Sequence, residues 1–419
     1  MKIELNIKRK SKTPAFDPSF RRLFTAVTLT SIGDGLTFNA LPWVAASLTS
    51  NTILASLVSS AIFLPWLLFS LPFGILIDRY PRNLLMAVSG TVRAVMILLL
   101  TVLIIYEWAT VPLLIILTFL FGTAKVMFDC TAQTIVPMVV NSKQLEKANG
   151  LFASVQLIAS DLLGGALAGI LILIGLPAPF VIDVITSVTS IPLLIRMKGN
   201  FQAREERKKV TFKADLKEGI LFVWNDSLLR PLALFGSGVT MVFSMITAMQ
   251  VFFMKEILHL SSFEFGLLIS FATVGSVIGG RAVSNLKTKL GARKSLLISI
   301  LTMGICYGIA GLSSNWYIVC LSYIIASFFI VVWGVLNVTY RQRIVPQELL
   351  GRVNTVFRFL SWGVSSIGTI LGGILVSVGE VAFNREWALR LPYLVLLCVY
   401  IIFFFIAIRL FSKERLEGV

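Results

Sequence analysis

Gly74-Ile-Leu-Ile-Asp78-Arg79-Tyr80-Pro81-Arg82 lies between two long apolar runs, Ile53 to Ile77 and Leu84 to Tyr106. Each run exceeds the ~20 residues a helix needs to cross a bilayer. The connection is very short and carries charges of both signs. Two helices joined this tightly must turn back on each other as an antiparallel hairpin. Gly74 lets a second backbone approach closely, as small residues do where helices meet inside a membrane. Asp78 is placed to accept hydrogen bonds or to face a positive helix N-terminus. Arg79 and Arg82 suit a cytoplasmic membrane surface.

Outward from this hairpin the same pattern repeats. Of the 419 residues 57% are hydrophobic, and the mean hydropathy is +0.88. Soluble domains are ~45–50% apolar, so the composition points to a polytopic membrane protein. The expected spans are Phe20–Ser47, Ile53–Ile77, Leu84–Tyr106, Val111–Val136, Asn149–Ile174 and Pro179–Met197. They continue with Pro231–Met254, Phe263–Leu286, Ser295–Leu312, Trp316–Val338, Asn354–Val378 and Leu391–Phe411. That is about twelve transmembrane helices by length. The first is too long for a cleaved signal and has an aspartate at its centre.

The formal net charge of +16 would suggest nucleic acid in a soluble protein. Here the basic residues sit in short loops on alternate sides. Of 37 Lys and Arg, the intervening loops carry only Lys255, Arg385 and Arg390. An even number of spans with this bias places both termini in the cytoplasm. No nucleic-acid partner is expected. The four cysteines lie in or beside apolar runs without metal-ligand spacing, and read as small core residues. Neither a metal nor another cofactor is expected.

The hydrophilic stretch Lys198 to Arg230 divides the spans six and six. The expected units are an N-terminal half (1–197), a linker (198–230) and a C-terminal half (231–419). Within the linker, Phe212, Leu216, Ile220 and Val223 give an amphipathic helix on the membrane surface or a plain linker. The halves repeat each other. Gln133-Thr-Ile-Val-Pro137 answers to Gln342-Arg-Ile-Val-Pro346, and Leu163-Gly-Gly165 to Leu371-Gly-Gly373. Gly164, Gly165, Gly372 and Gly373 read as close packing positions of the fifth and eleventh spans.

The Gly74–Arg82 motif resembles the signature of the major facilitator superfamily in the loop after its second helix. Pro81 and Asn83 depart from it, where Gly and a basic residue are frequent. The resemblance covers nearly the whole chain through span number, orientation and repeat. It implies an all-α membrane protein of twelve helices in two pseudo-symmetric halves, working by alternating access. Ser31-Ile-Gly-Asp34-Gly35 followed by Ala40-Leu-Pro-Trp43 is similar to the bacterial macrolide-efflux and enterobactin-exporter branch.

Candidate site residues follow from depth. Asp34 lies about 14 residues, roughly 21 Å, into the first span. An ionised carboxylate there is costly unless it faces water or a partner. It reads as a protonation or cationic-substrate site, or as a structural carboxylate. Arg93 is a buried counter-charge or a snorkelling contact at the gate. Lys125 and Asp129, four apart, form a self-neutralised pair or line the cavity. Asp161 stands where related exporters often carry proline, and reads as a coupling site or an inter-helix hydrogen bond. Asp183 reads as a helix cap near the far surface. Met241, Met245 and Met249 form either a packing stripe or an adaptable substrate surface. Phe38, Asn39, Phe128, Trp333, Asn337 and Trp362 are cavity candidates by position.

The expected function is secondary export of amphipathic small molecules, driven by a proton gradient, in a monomer in the cell membrane. A siderophore exporter, or a lipid flippase or uncoupled facilitator of the same fold, remains an alternative. The chain has no GxxxxGK[ST] segment for ATP. A polytopic membrane enzyme would need clustered acids, His or Cys at one membrane face; the lone His259 falls in a loop.

Overall fold

The computed structural model describes residues 16–141, 144–199, 201 and 212–411; side chains are not described for 71, 75, 78, 146, 161, 212–216, 347 and 348. The chain is a sequence of helices. The first six are α1 (Pro18–Leu48), α2 (Thr52–Arg79), α3 (Arg82–Ile105), α4 (Val111–Val139), α5 and α6 (Ala178–Ile195). α5 runs unbroken through Leu145–Val155, Gln156–Leu163 and Gly164–Ile174, with π-helical turns in its middle stretch. After α7 (Phe212–Asn225) come α8 (Leu229–Glu256), α9 (Ser262–Leu290), α10 (Ala292–Leu312) and α11 (Trp316–Ile344). α12 passes through Gln347–Arg358, a π-helical Phe359–Gly363 and Val364–Ala382, and α13 is Arg385–Leu410.

Eleven of these helices are long and apolar enough to cross a membrane. α1 is as long, at 31 residues, but is diluted by polar residues around Asp34. Apolar length fixes only the part of each helix inside the hydrocarbon. The helices run on into the polar zone, so α11 reaches Ile344 rather than Val338 and α13 begins at Arg385 rather than Leu391. Only Tyr80 and Pro81 separate α2 from α3. Gly74 to Arg79 therefore forms the last turns of α2.

α1 to α6 pack as one bundle and α8 to α13 as the other. Two seams join them. Along the first, Thr52 Oγ1 of α2 donates to the Gly373 carbonyl of α12 at 3.1 Å, and Ser60 Oγ to that of Ser366 at 3.1 Å. Along the second, Ser262 and Ser270 Oγ of α9 donate to the Gly169 and Leu162 carbonyls of α5 at 3.3 and 3.0 Å. The glycine pairs divide the work. A Cβ on Gly373 would lie 2.6 Å from the Thr52 carbonyl oxygen, and one on Gly165 would lie 3.0 Å from Ile269 Cγ2, both across a seam. Gly164 and Gly372 instead admit helices of their own bundles, α1 at Gly35 and α8 at Met245.

α2 and α9 both start at the face opposite the termini. The seam contacts therefore close the bundles together from mid-helix to that face. Arg385 adds to the closure there. Its Nε and Nη2 hold Glu256 at 2.6 and 2.9 Å, Nη1 holds Glu380 at 2.6 Å, and Nη2 reaches the Ser50 carbonyl of the other bundle at 3.2 Å.

α7 lies at the terminal face. Val223 is buried while Ile220, Leu221 and Trp224 are exposed. Glu218 pairs with Arg352 at the start of α12. The helix is thus docked on the second bundle by one side.

Candidate functional site

Five charged residues from four helices meet inside the first bundle. α1 brings Asp34, α3 Arg93, α4 Lys125 and Asp129, and α6 Asp183. Asp34 is shared: Oδ1 accepts from Arg93 Nη2 at 2.6 Å and Oδ2 from Lys125 Nζ at 2.8 Å. Lys125 Nζ also pairs with Asp129 Oδ2 at 3.0 Å. Arg93 Nη2 stands 3.7 Å from Asp183 Oδ1. Asp183 is held from two further sides, by Thr37 Oγ1 at 2.6 Å and Ser187 Oγ at 3.0 Å.

Local sequence makes this cluster possible. Gly33 and Gly35 flank Asp34. A Cβ on Gly33 would collide with the Asp183 carboxylate and lie 2.6 Å from Thr186 Oγ1. On the other flank, the reciprocal contact from Gly164 to Gly35 Cα would be 2.6 Å. Glycines thus bring α1 against α6 and α5 at the depth of the carboxylate. Arg93 is fully enclosed, and Nε and Nη1 have no hydrogen-bond partner among the described residues. Phe121 and Phe128 face its guanidinium at 5.3 and 5.6 Å, which gives that charge two π-faces. Exposure then grades across the cluster. The Arg93 and Asp183 side chains are 0% exposed, Asp34 10%, Lys125 20% and Asp129 30%. Charges this deep avoid lipid. Lys125 and Asp129 are the accessible end of the cluster.

The structure corrects several readings. Lys125 and Asp129 are not a closed pair, because the ammonium also serves Asp34. Asp34 is accordingly doubly ion-paired, with Arg93 and Lys125 as the partners its depth requires. Asp183 does not cap a helix; it is the sixth residue of α6 and fully buried. Phe128 packs in the core with Leu23, Met86 and Ile135, not in a cavity. Met245, Met249 and Trp333 are likewise in the main core, with Met241 packed against it. The carbonyls of Met241 and Met245 meet Gly368 and Gly372 of α12. Asn337 is buried and donates to the Leu232 carbonyl at 3.2 Å.

Phe38 and Trp362 are exposed in mid-helix. Phe63 joins them, edge-on to Phe38 at 5.7 Å and stacked on Trp362 at 6.1 Å, and Trp66 stacks on Trp362 at 5.9 Å. This aromatic wall spans α1, α2 and α12. Asn39 turns back to the Gly35 carbonyl of its own helix at 2.8 Å. Gly74 is half-buried and Arg79 exposed, while the Arg82 N–H donates to the Phe201 carbonyl at 3.2 Å. The side chains of Asp78 and Asp161 lie outside the described residues.

Thr37, Ser187, Phe63, Trp66 and the Arg385 cluster were not singled out by sequence. Thr37 lies three residues after Asp34, on the same helix face, and was the most readable of them. The Arg385 cluster had a weaker signal: arginine is scarce in the loops on its side.

A family model described as a transmembrane secretion effector matches residues 10–418. The chain belongs to that family. Among curated relatives, multidrug efflux pump Tap of Mycolicibacterium fortuitum is 24% identical over 390 residues. That alignment covers 89% of this chain and 92% of Tap. Macrolide efflux protein A of Streptococcus pyogenes is 27% identical over 338 residues, covering 78% of this chain and 81% of the relative. Among solved structures, a bacterial homologue of the human lysosomal transporter Spinster, inward-facing and unoccupied, superposes with a TM-score of 0.74. It is 15% identical, with 94% of this chain and 97% of that one covered. A bacterial homologue of the iron transporter ferroportin, in an inward-facing state, gives 0.71 at 16% identity, with 92% and 98% covered. Fold and family are those of membrane transporters.

Proposed function

We propose that the protein is a proton-coupled exporter of amphipathic small molecules in the cell membrane, with both termini cytoplasmic. The observation that carries this reading is the placement of Asp34. It is a mid-membrane carboxylate shared by two cations, at the border between the enclosed Arg93 and Asp183 and the partly exposed Lys125 and Asp129. A proton on Asp34 removes the charge that holds both Arg93 and Lys125. A bound cation competes for the same oxygen. Proton and substrate then exclude each other on one group, which is sufficient for antiport when the group is exposed to alternate faces. Exposed Phe38, one helical turn after Asp34, and exposed Trp362, backed by the buried rings of Phe63 and Trp66, offer flat apolar surface. The efflux pumps among the relatives agree with export as the direction, and the basic loops with the terminal face as cytoplasmic.

Asp34→Asn keeps the size of the side chain and removes the titrating charge. In proteoliposomes it abolishes uphill, gradient-driven transport and leaves downhill exchange. Uphill transport at the wild-type rate would make Asp34 structural. Asp161 would then be the next carboxylate to test.

A further inference from the structure

We infer that Lys125 is a tethered occupant of a cation subsite between Asp34 and Asp129, and that the subsite selects ligands carrying a single positive charge. The inference rests on the export reading above for its physiological meaning, but its geometry stands alone.

The two cations of the cluster are held differently. Arg93 is completely enclosed, faces two aromatic rings and bonds Asp34 through one nitrogen. Its position is fixed by packing. Lys125 has no cation–π contact among those described and is partly exposed. Its ammonium sits between carboxylates of two helices, 2.8 Å from Asp34 and 3.0 Å from Asp129. Asp129 lies one helical turn along the same helix, so Lys125 can keep that partner after leaving Asp34. The Asp34 Oδ2 atom would then be open to an incoming amine. An ammonium on four methylenes is a mobile point charge, suited to such a movement in a way a guanidinium is not.

Charge counting sets the ligand class. Among the described side chains, the three carboxylates Asp34, Asp129 and Asp183 against Arg93 and Lys125 leave the cluster one positive charge short of neutrality. A ligand with one positive charge completes the balance. Lys125 moves to Asp129, the ligand takes its place at Asp34, and no charge is left uncompensated. A ligand with two charges would overshoot. A neutral one would leave the deficit and gain nothing by displacing Lys125.

The test is binding to purified protein in detergent, which does not depend on proton coupling. Ethidium and propidium share one aromatic scaffold and carry one and two positive charges. Binding is read from dye fluorescence anisotropy in the wild type, Lys125→Gln, Lys125→Arg and Asp129→Asn. The wild type binds ethidium more tightly than propidium. Lys125→Gln raises the deficit by one and shifts the affinity ratio toward propidium by about tenfold or more, a conservative share of the attraction between unit charges a few ångströms apart. Asp129→Asn removes the deficit and weakens both dyes, propidium more than ethidium. Lys125→Arg keeps the wild-type ratio, because the charge is unchanged, but weakens both dyes, because the guanidinium leaves Asp34 less readily. If Lys125→Gln does not fold, the opposite shift in Asp129→Asn carries the test.

An affinity ratio unchanged within about twofold in every variant that folds would overturn the inference. So would a wild type that binds neither dye or prefers propidium. A charge shift seen in binding, with no proton-dependent transport of ethidium in vesicles, would uphold the subsite while removing the export reading.

Discussion

Replacing Arg93 with Met separates the two kinds of ion pair in the cluster. The Arg93 side chain is 0% and that of Asp34 10% exposed, at 2.6 Å. A buried pair broken at one end costs about 3–5 kcal/mol, because the surviving charge is stranded. Lys125 and Asp129 are 20% and 30% exposed, closer to the range of surface pairs at about 0–1 kcal/mol. In Arg93→Met, Asp34 retains Lys125, so the lower end of the buried range applies. Asp34→Asn in that background removes the stranded charge and recovers part of the loss. The double-mutant cycle for this pair should give a coupling of about 1–3 kcal/mol. The corresponding Lys125→Met and Asp129→Asn cycle should give less than half of it. Reversible unfolding by SDS in mixed micelles, followed by tryptophan fluorescence, supplies the free energies. Additive effects for Arg93 and Asp34, within about 0.5 kcal/mol, would refute the view that this pair is the buried anchor of the site.

Three further outcomes are expected. Gly373→Leu should force α2 away from α12 and leave a cysteine at the face opposite the termini permanently reactive; one-sided protection as in the wild type would count against the seam. Arg385→Ala removes partly exposed bonds worth about 0–1 kcal/mol each, so the same cysteine should react a few times faster, whereas slower reaction would contradict a closing role. Asp78→Asn should reduce transport while the protein still inserts and folds, because the motif between α2 and α3 loses its one acidic charge; full transport would reassign the motif.

The fold was readable because a bilayer imposes few solutions. Apolar length gave the spans, and the repeat of Leu-Gly-Gly gave the symmetry between α5 and α12. Helix ends were less readable, since charged residues such as Arg341 and Arg343 continue α11 past its apolar part. Within the site, spacing along one helix is visible in sequence, as for Lys125 and Asp129. Rotation of one helix against another is not. The bond from Lys125 to Asp34 and the placement of Asp183 against Thr37 depend on where α1, α4 and α6 cross. The methionine stripe illustrates the same limit. Four-residue spacing places Met241, Met245 and Met249 on one face of α8, but only packing decides that this face meets α12 and the core.

Coupling to protons is the central claim, and proteoliposomes loaded with a pH-sensitive dye measure it directly. With the cytoplasmic side inferred above facing outward, an acidic lumen is imposed and a monocationic substrate is added outside. The account predicts that substrate accumulates in the lumen beyond its outside concentration, that the lumen loses acidity faster with substrate than without it, and that a protonophore, which collapses the gradient by itself, abolishes the accumulation. Equal substrate levels on the two sides, reached at the same rate with or without the pH gradient, would identify an uncoupled facilitator and contradict the account.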